Sequence, residues 1–142
     1  MSAYFGRRYT LSASHRLHSD AFTPEQNRAV YGKCSNPHGH GHNYVIEVLV
    51  RGEVVPDTGM VINLVDLDAA VRTQVLTRFD HANLNLDPLF TSQVPTTENL
   101  CRTVFELLKD AVPVGVALEY VRVEETENNF FQYFGASSAE AA

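Results

Sequence analysis

Apolar residues in this chain recur with two different periods, and the order of those periods limits the fold more than any other feature. At both ends they alternate; in the middle they fall three or four residues apart. From about Tyr4 to Ala13, Phe5, Tyr9, Leu11 and Ala13 share one side of an extended segment, and from Asn43 to Val50 so do Tyr44, Ile46, Val48 and Val50. Pro56-Asp57-Thr58-Gly59 then reads as a turn. Asn63 offers an N-cap to a helical stretch in which Leu64, Leu67, Val71 and Val75 recur, ending near Arg78. Pro95-Thr96-Thr97-Glu98 opens a second helix, capped by Thr96 or Thr97, with Leu100, Val104, Leu107, Leu108 and Ala111 as its buried stripe, stopped by Pro113 and Gly115. Alternation returns over Ala117–Glu124 and Phe130–Phe134. The polar connection from Leu17 to Cys34 is long for a link between strands, and loops of that length are usually functional.

The order ββααββ predicts an α+β fold: one domain over residues 1–142, an antiparallel four-stranded sheet with two helices on one face. Its other face needs a cover. Tyr44, Tyr120 and Phe131 are available for burial there, and association of copies would hide both that face and the sheet edges.

Lys and Arg total 11 against 17 Asp and Glu, a formal net charge of −6, which argues against a nucleic-acid surface. An anionic ligand must therefore find a local patch of positive charge. No apolar run approaches the ~18 residues of a membrane helix, and Met1-Ser2-Ala3-Tyr4 lacks a signal-peptide layout, so a cytoplasmic chain without a membrane partner is expected. Cys101 falls in an apolar helical run and reads as core; Cys34 lies in a polar loop, and reduced thiols suit a cytosolic setting better than a disulfide.

Chemistry concentrates in the histidines. His38, His40 and His42 are spaced two apart, and side chains at i and i+2 of a strand project to one face, about 6–7 Å apart. A pair so placed can reach one metal ion. His15, at the end of the first strand, can add a third ligand if that strand pairs with the second, which would suit zinc with one open position. Either His38 with His40 or His40 with His42 satisfies the spacing. Three further features are weaker alone. Cys34 precedes the histidines, where a nearby cation would make it a better base or nucleophile. Asp80-His81 is an adjacent acid–imidazole pair, although chain adjacency does not make a dyad. Glu124-Glu125 ends a strand, where neighbouring carboxylates point to opposite faces, and both read equally as surface acids.

Taken together, Ser12-Ala13-Ser14-His15, the run from Cys34 to Tyr44, Gly59–Leu67, Phe79–Asn85, Pro95–Asn99 and Glu125–Asn129 resemble the 6-pyruvoyl-tetrahydropterin synthase family over most of the chain, from about Phe5 to Gly135. The resemblance implies a tunnelling fold, in which ββααββ subunits form trimeric barrels that stack as a homo-hexamer. It implies zinc held by His15, His40 and His42, since relatives open the second strand with His-Gly-His-Asn-Tyr; shorter-loop relatives have the spacing of Cys34, His38 and His40 instead. By the same resemblance Cys34 is the catalytic base, and Asp80 and His81 a relay often contributed across a subunit interface. Glu125 anchors the pterin, its carboxylate accepting two donors of the amino-pyrimidine edge. The implied substrate is 7,8-dihydroneopterin triphosphate. Its fate is loss of triphosphate to give 6-pyruvoyl-tetrahydropterin or, in relatives of the queuosine route, side-chain cleavage to 6-carboxy-tetrahydropterin with release of acetaldehyde. A family member that keeps zinc but has lost catalysis would be expected to lack at least one of Cys34, Asp80, His81 and Glu125; all four are present.

Overall fold

The protein is described here by a computed structural model covering residues 2–136. Two long strands, β1 (Ser2–His15) and β2 (His40–Glu53), pair antiparallel over their whole length, from Ser2 opposite Glu53 to His15 opposite His40. β4 (Val116–Thr126) pairs with the other side of β2, and β5 (Asn129–Tyr133) closes that edge. Each strand extends past its apolar stripe, because the backbone ladder continues where side-chain alternation no longer signals it.

The sheet has five strands rather than four and is mixed rather than purely antiparallel. A two-residue strand, β3 (Ala82–Asn83), lies parallel to β1 on its outer edge, giving the order β3-β1-β2-β4-β5. Two residues carry no periodicity, so such a strand leaves no sequence signal. The connection after β1 also departs from expectation. It contains a helix, α1 (Pro24–Tyr31), followed by a 3₁₀ turn over Gly32–Ser35. Thr23 and Gln26 form a reciprocal capping box with proline at the first helical position, a starting signature that a polar composition obscures.

The first predicted helix is interrupted. α2 (Leu64–Val71) passes through a π segment, Arg72–Leu76, before α3 (Thr77–Phe79). Leu67, Val71, Val75 and Phe79 are all fully buried and spaced by four. Each step of four overshoots a 3.6-residue turn by about 40°. A wider turn returns the stripe to the core. α4 (Thr97–Leu108) starts at Thr96, whose hydroxyl accepts the Asn99 N–H, and buries Leu100, Cys101, Val104, Phe105 and Leu108.

These helices cover one sheet face. Leu11 and Ala13 from β1, Tyr44, Ile46, Val48 and Val50 from β2, and Val121 and Val123 from β4 complete a continuous core. Tyr44 and Phe131 therefore belong to the helix side, not to the open face expected of them. Tyr120 does lie on the open face, where it donates to Glu47 and stacks on Phe134, beside an Arg8–Glu47 ion pair and an Arg122 guanidinium 4.0 Å above the Phe130 ring. No helix among the described residues is long and apolar enough to cross a membrane.

Candidate metal centre and active site

The β1–β2 register carries the core stripe straight into three imidazoles. On β1 the helix-side positions end Leu11, Ala13, His15; on β2 they begin His40, His42, Tyr44. One ring nitrogen from each of His15, His40 and His42 lies within 4.8 Å of the others, and the rings pack edge-on with centroids 4.7 to 5.1 Å apart. Gly39 permits the approach. Its φ is +69°, and a Cβ there would stand 2.9 Å from the His15 carbonyl oxygen.

The surroundings of each ring suit a cation. His15 is 1% exposed, and its Nδ1–H donates to the Pro95 carbonyl oxygen at 2.7 Å, which leaves the Nε2 lone pair facing inward. That Nε2 is 3.1 Å from Nε2 of His40, close to the spacing of about 3.3 Å between two ligands of a tetrahedral ion with 2.0–2.1 Å bonds. Nε2 of His42 is buried without a hydrogen-bond partner among the described residues. Burial holds His15 and His42 below the ordinary imidazole range, so both rings are neutral, the form that ligates metals. An inward lone pair on His15, a His40 nitrogen 3.1 Å from it and one orphaned buried nitrogen on His42 are what a divalent cation would satisfy. His38 is exposed in the turn before β2, outside this cluster; its amide caps onto Asn36.

Glu125 approaches the imidazoles from β4, its oxygens 4.0 Å from His15 and 3.9 Å from His42. Thr97 donates its hydroxyl to one carboxylate oxygen at 2.5 Å and the Asn129 amide donates to the other at 3.2 Å. Burial alone would raise this carboxyl; the hydrogen bonds from Thr97 and Asn129 outweigh it and hold the group below the usual range, so it is ionised. Cys34, half-buried and free, lies in the 3₁₀ turn, and its backbone oxygen accepts the Leu17 N–H at 2.8 Å. Burial, helped by the Glu125 carboxylate, raises the Tyr44 hydroxyl, which lies 3.3 Å from Nδ1 of His15. Cys101 differs: burial pushes its thiol up to about 12, and it donates to the Val121 carbonyl oxygen.

Asp80 and His81 stand on the opposite edge of β1. Asp80 accepts the Ser12 N–H at 2.9 Å, and its other oxygen is 3.2 Å from Nδ1 of His81. His81 adopts a left-handed φ of +61°, unusual for a residue with a Cβ, and turns an 83% exposed ring outward. It borders an open cavity of about 410 Å³ that is also lined by Ser12, His42 and Asn43.

Residues 4–136 match the family model described as 6-pyruvoyl tetrahydropterin synthase. The chain belongs to that family. It is 46% identical over 134 residues to the 6-pyruvoyl tetrahydrobiopterin synthase of Homo sapiens, covering 94% of this chain and 92% of that protein. Identity to the Poecilia reticulata protein of the same name is 45%, over 93% and 90% of the two chains. The structure of Caenorhabditis elegans 6-pyruvoyl tetrahydropterin synthase superposes with a TM-score of 0.89 at 41% identity, covering 96% of this chain and 97% of that one. As a member of the 6-pyruvoyl tetrahydropterin synthase family the chain is an enzyme, a lyase. Thr97, Asn129, Tyr44 and the Pro95 carbonyl all touch the candidate site residues; none has a role legible in the sequence, although each lies in a stretch that carries the family resemblance. In the Thr96-Thr97 doublet one threonine caps the helix, which frees the other to hold Glu125.

Proposed function

We propose that the protein eliminates triphosphate from 7,8-dihydroneopterin triphosphate to give 6-pyruvoyl-tetrahydropterin, with zinc held by His15, His40 and His42. The observation that carries this reading is the convergence of three imidazoles and one doubly hydrogen-bonded carboxylate. When bound, zinc supplies Lewis-acid polarisation of the hydroxyls on the substrate side chain. Glu125 accepts from the amino-pyrimidine edge of the pterin, and Thr97 and Asn129 keep its oxygens aimed. Cys34 takes protons from the side-chain carbons, and His81, oriented by Asp80, relays them. Loss of triphosphate and internal redox tautomerisation need no external electron carrier.

The His81 ring is 83% exposed and borders an open cavity, which supports a homo-hexameric assembly in which Asp80 and His81 serve the centre of a neighbouring copy. The pyruvoyl product is favoured over the carboxy product by likeness: relatives named for the former are 41–46% identical, whereas a putative 6-carboxy-5,6,7,8-tetrahydropterin synthase of Archaeoglobus fulgidus is 33% identical over 112 residues. Incubating zinc-loaded protein with 7,8-dihydroneopterin triphosphate tests the reading. The expected products are 6-pyruvoyl-tetrahydropterin and inorganic triphosphate; acetaldehyde would establish the carboxy reaction, and no pterin product would leave a binding protein. Cys34→Ala should lower kcat by roughly 10²–10⁴ with metal retained. Unchanged kcat would remove Cys34 from proton abstraction.

A further inference from the structure

The segment between β1 and β2 builds a second cavity, of about 560 Å³, whose wall includes Arg16, His18, Arg28, Lys33 and Ser35 and no acidic residue. That is a concentration of cations in a chain of net charge −6. The cations are held on a scaffold rather than on a loose loop. The Arg16 backbone is clamped by Asn85, which accepts its N–H at 2.6 Å and donates to its carbonyl at 2.9 Å, and the Arg16 Nε–H donates to the Ser35 carbonyl oxygen at 3.0 Å. Asn27 is 1% exposed and binds the backbone of Ser19, Phe22 and Thr23, docking α1, and with it Arg28, onto the preceding turn.

Little of this charge is spent within the protein. Among the described residues Lys33 makes no ion pair, and Arg28 meets only the exposed Glu25 at 3.7 Å, a contact that solvent renders weak. His18 pairs through Nε2 with exposed Asp20 at 3.3 Å, while its Nδ1 is buried with no partner among the described residues. The cavity also starts where the chemistry ends. Arg16 follows His15, Lys33 and Ser35 flank Cys34, and Arg16 and Pro37 also line a smaller cavity of about 190 Å³ that reaches His15. The cavity on the far side of Arg16 and His18 has Asp20 in its wall and Arg16 as its one arginine or lysine, so its field is less favourable to an anion.

We infer that this cavity receives the polyphosphate tail of the substrate, with Arg16, Arg28 and Lys33 as its anion-binding residues. Guanidinium forks and an ammonium would share the charge of adjacent phosphoryl groups. The inference rests on the pterin-triphosphate reading above, and the probe is chosen to separate the two. Titration calorimetry with inorganic tripolyphosphate at low salt compares wild type with the double variant Arg28→Glu/Lys33→Glu, whose changes lie on exposed side chains. Affinity should fall about tenfold or more, with metal content and thermal stability unchanged, while Arg102→Glu, on the far helix, binds as wild type does. In turnover the double variant should raise KM with kcat within about twofold. Equal affinity in the double variant overturns the site, as does binding that vanishes when wild type is stripped of metal. If wild type turns the substrate over but the double variant binds tripolyphosphate normally, the site falls and the reaction stands. If wild type forms no pterin product yet the double variant loses tripolyphosphate affinity, the reaction falls and the anion site stands.

Discussion

The two ends of the β1–β2 ladder share one register and do opposite things. At one end Phe5 pairs with Val50 and Tyr9 with Ile46, and their side chains enter the core. At the other, His15 pairs with His40 and Ala13 with His42, on the same face of the same sheet. Nothing in the backbone changes between them. The alternation that excludes water from Ile46 and Val48 also desolvates His15 and His42, and that desolvation keeps their rings neutral. The candidate metal site is here the last two layers of a hydrophobic core, with imidazole in place of aliphatic side chains.

This comparison can be broken at either end. The largest effect is expected from His42→Ala, which should remove most bound zinc and activity together; metal analysis of the purified variant showing full occupancy would shift the ligand set to His38 and His40. Next, Leu11→Ala, two layers from His15, should destabilise by about 2–5 kcal/mol in chemical denaturation while the folded fraction keeps its full metal complement. A proportionate loss of metal would mean that the two ends are not separable.

A smaller effect belongs to the rim between sheet and α2. The Tyr9 hydroxyl, together with Arg7, holds the Asp68 carboxyl below its usual range, against the opposing pull of burial. A carboxyl depressed in the folded state adds stability above the unfolded carboxyl's range and loses it as pH falls through the folded value. Asp68→Asn should therefore cost about 1 kcal/mol at neutral pH, and the gap to wild type should close in acid, as denaturation at the two pH values would register. The smallest effect is expected from His38→Ala, with zinc content and kcat near wild type, because that ring is exposed outside the cluster.

The long strands and both principal helices were legible because each buries a stripe of at least four apolar residues, and a stripe has a period. β3 was not, since two residues have none, and the π segment was not, since spacing by four reads equally as an α-helix over a short window. The α1 start was written in Thr23-Pro24-Glu25-Gln26 but outweighed by its polar setting. Among the site residues, His40 and His42 could be grouped by parity alone, while parity also allowed His38. Gly39, in a left-handed turn against the His15 carbonyl, is where the strand begins and what leaves His38 outside it.

The sequence by itself determined which side chains share a face, because strand parity and helical spacing are local and follow from backbone geometry. It also set the donor types, imidazole, thiol and carboxylate, that make metal-assisted acid–base chemistry available. Only the tertiary structure decided which donors meet. Glu125 reaches the imidazoles because β4 pairs with β2 with Glu124 opposite Val45, and Asp80 and His81 stand outside the three-histidine cluster because β3 joins the far edge of β1. Those are contacts between segments many residues apart, fixed by how sheet and helices bury their shared core and not by any local pattern.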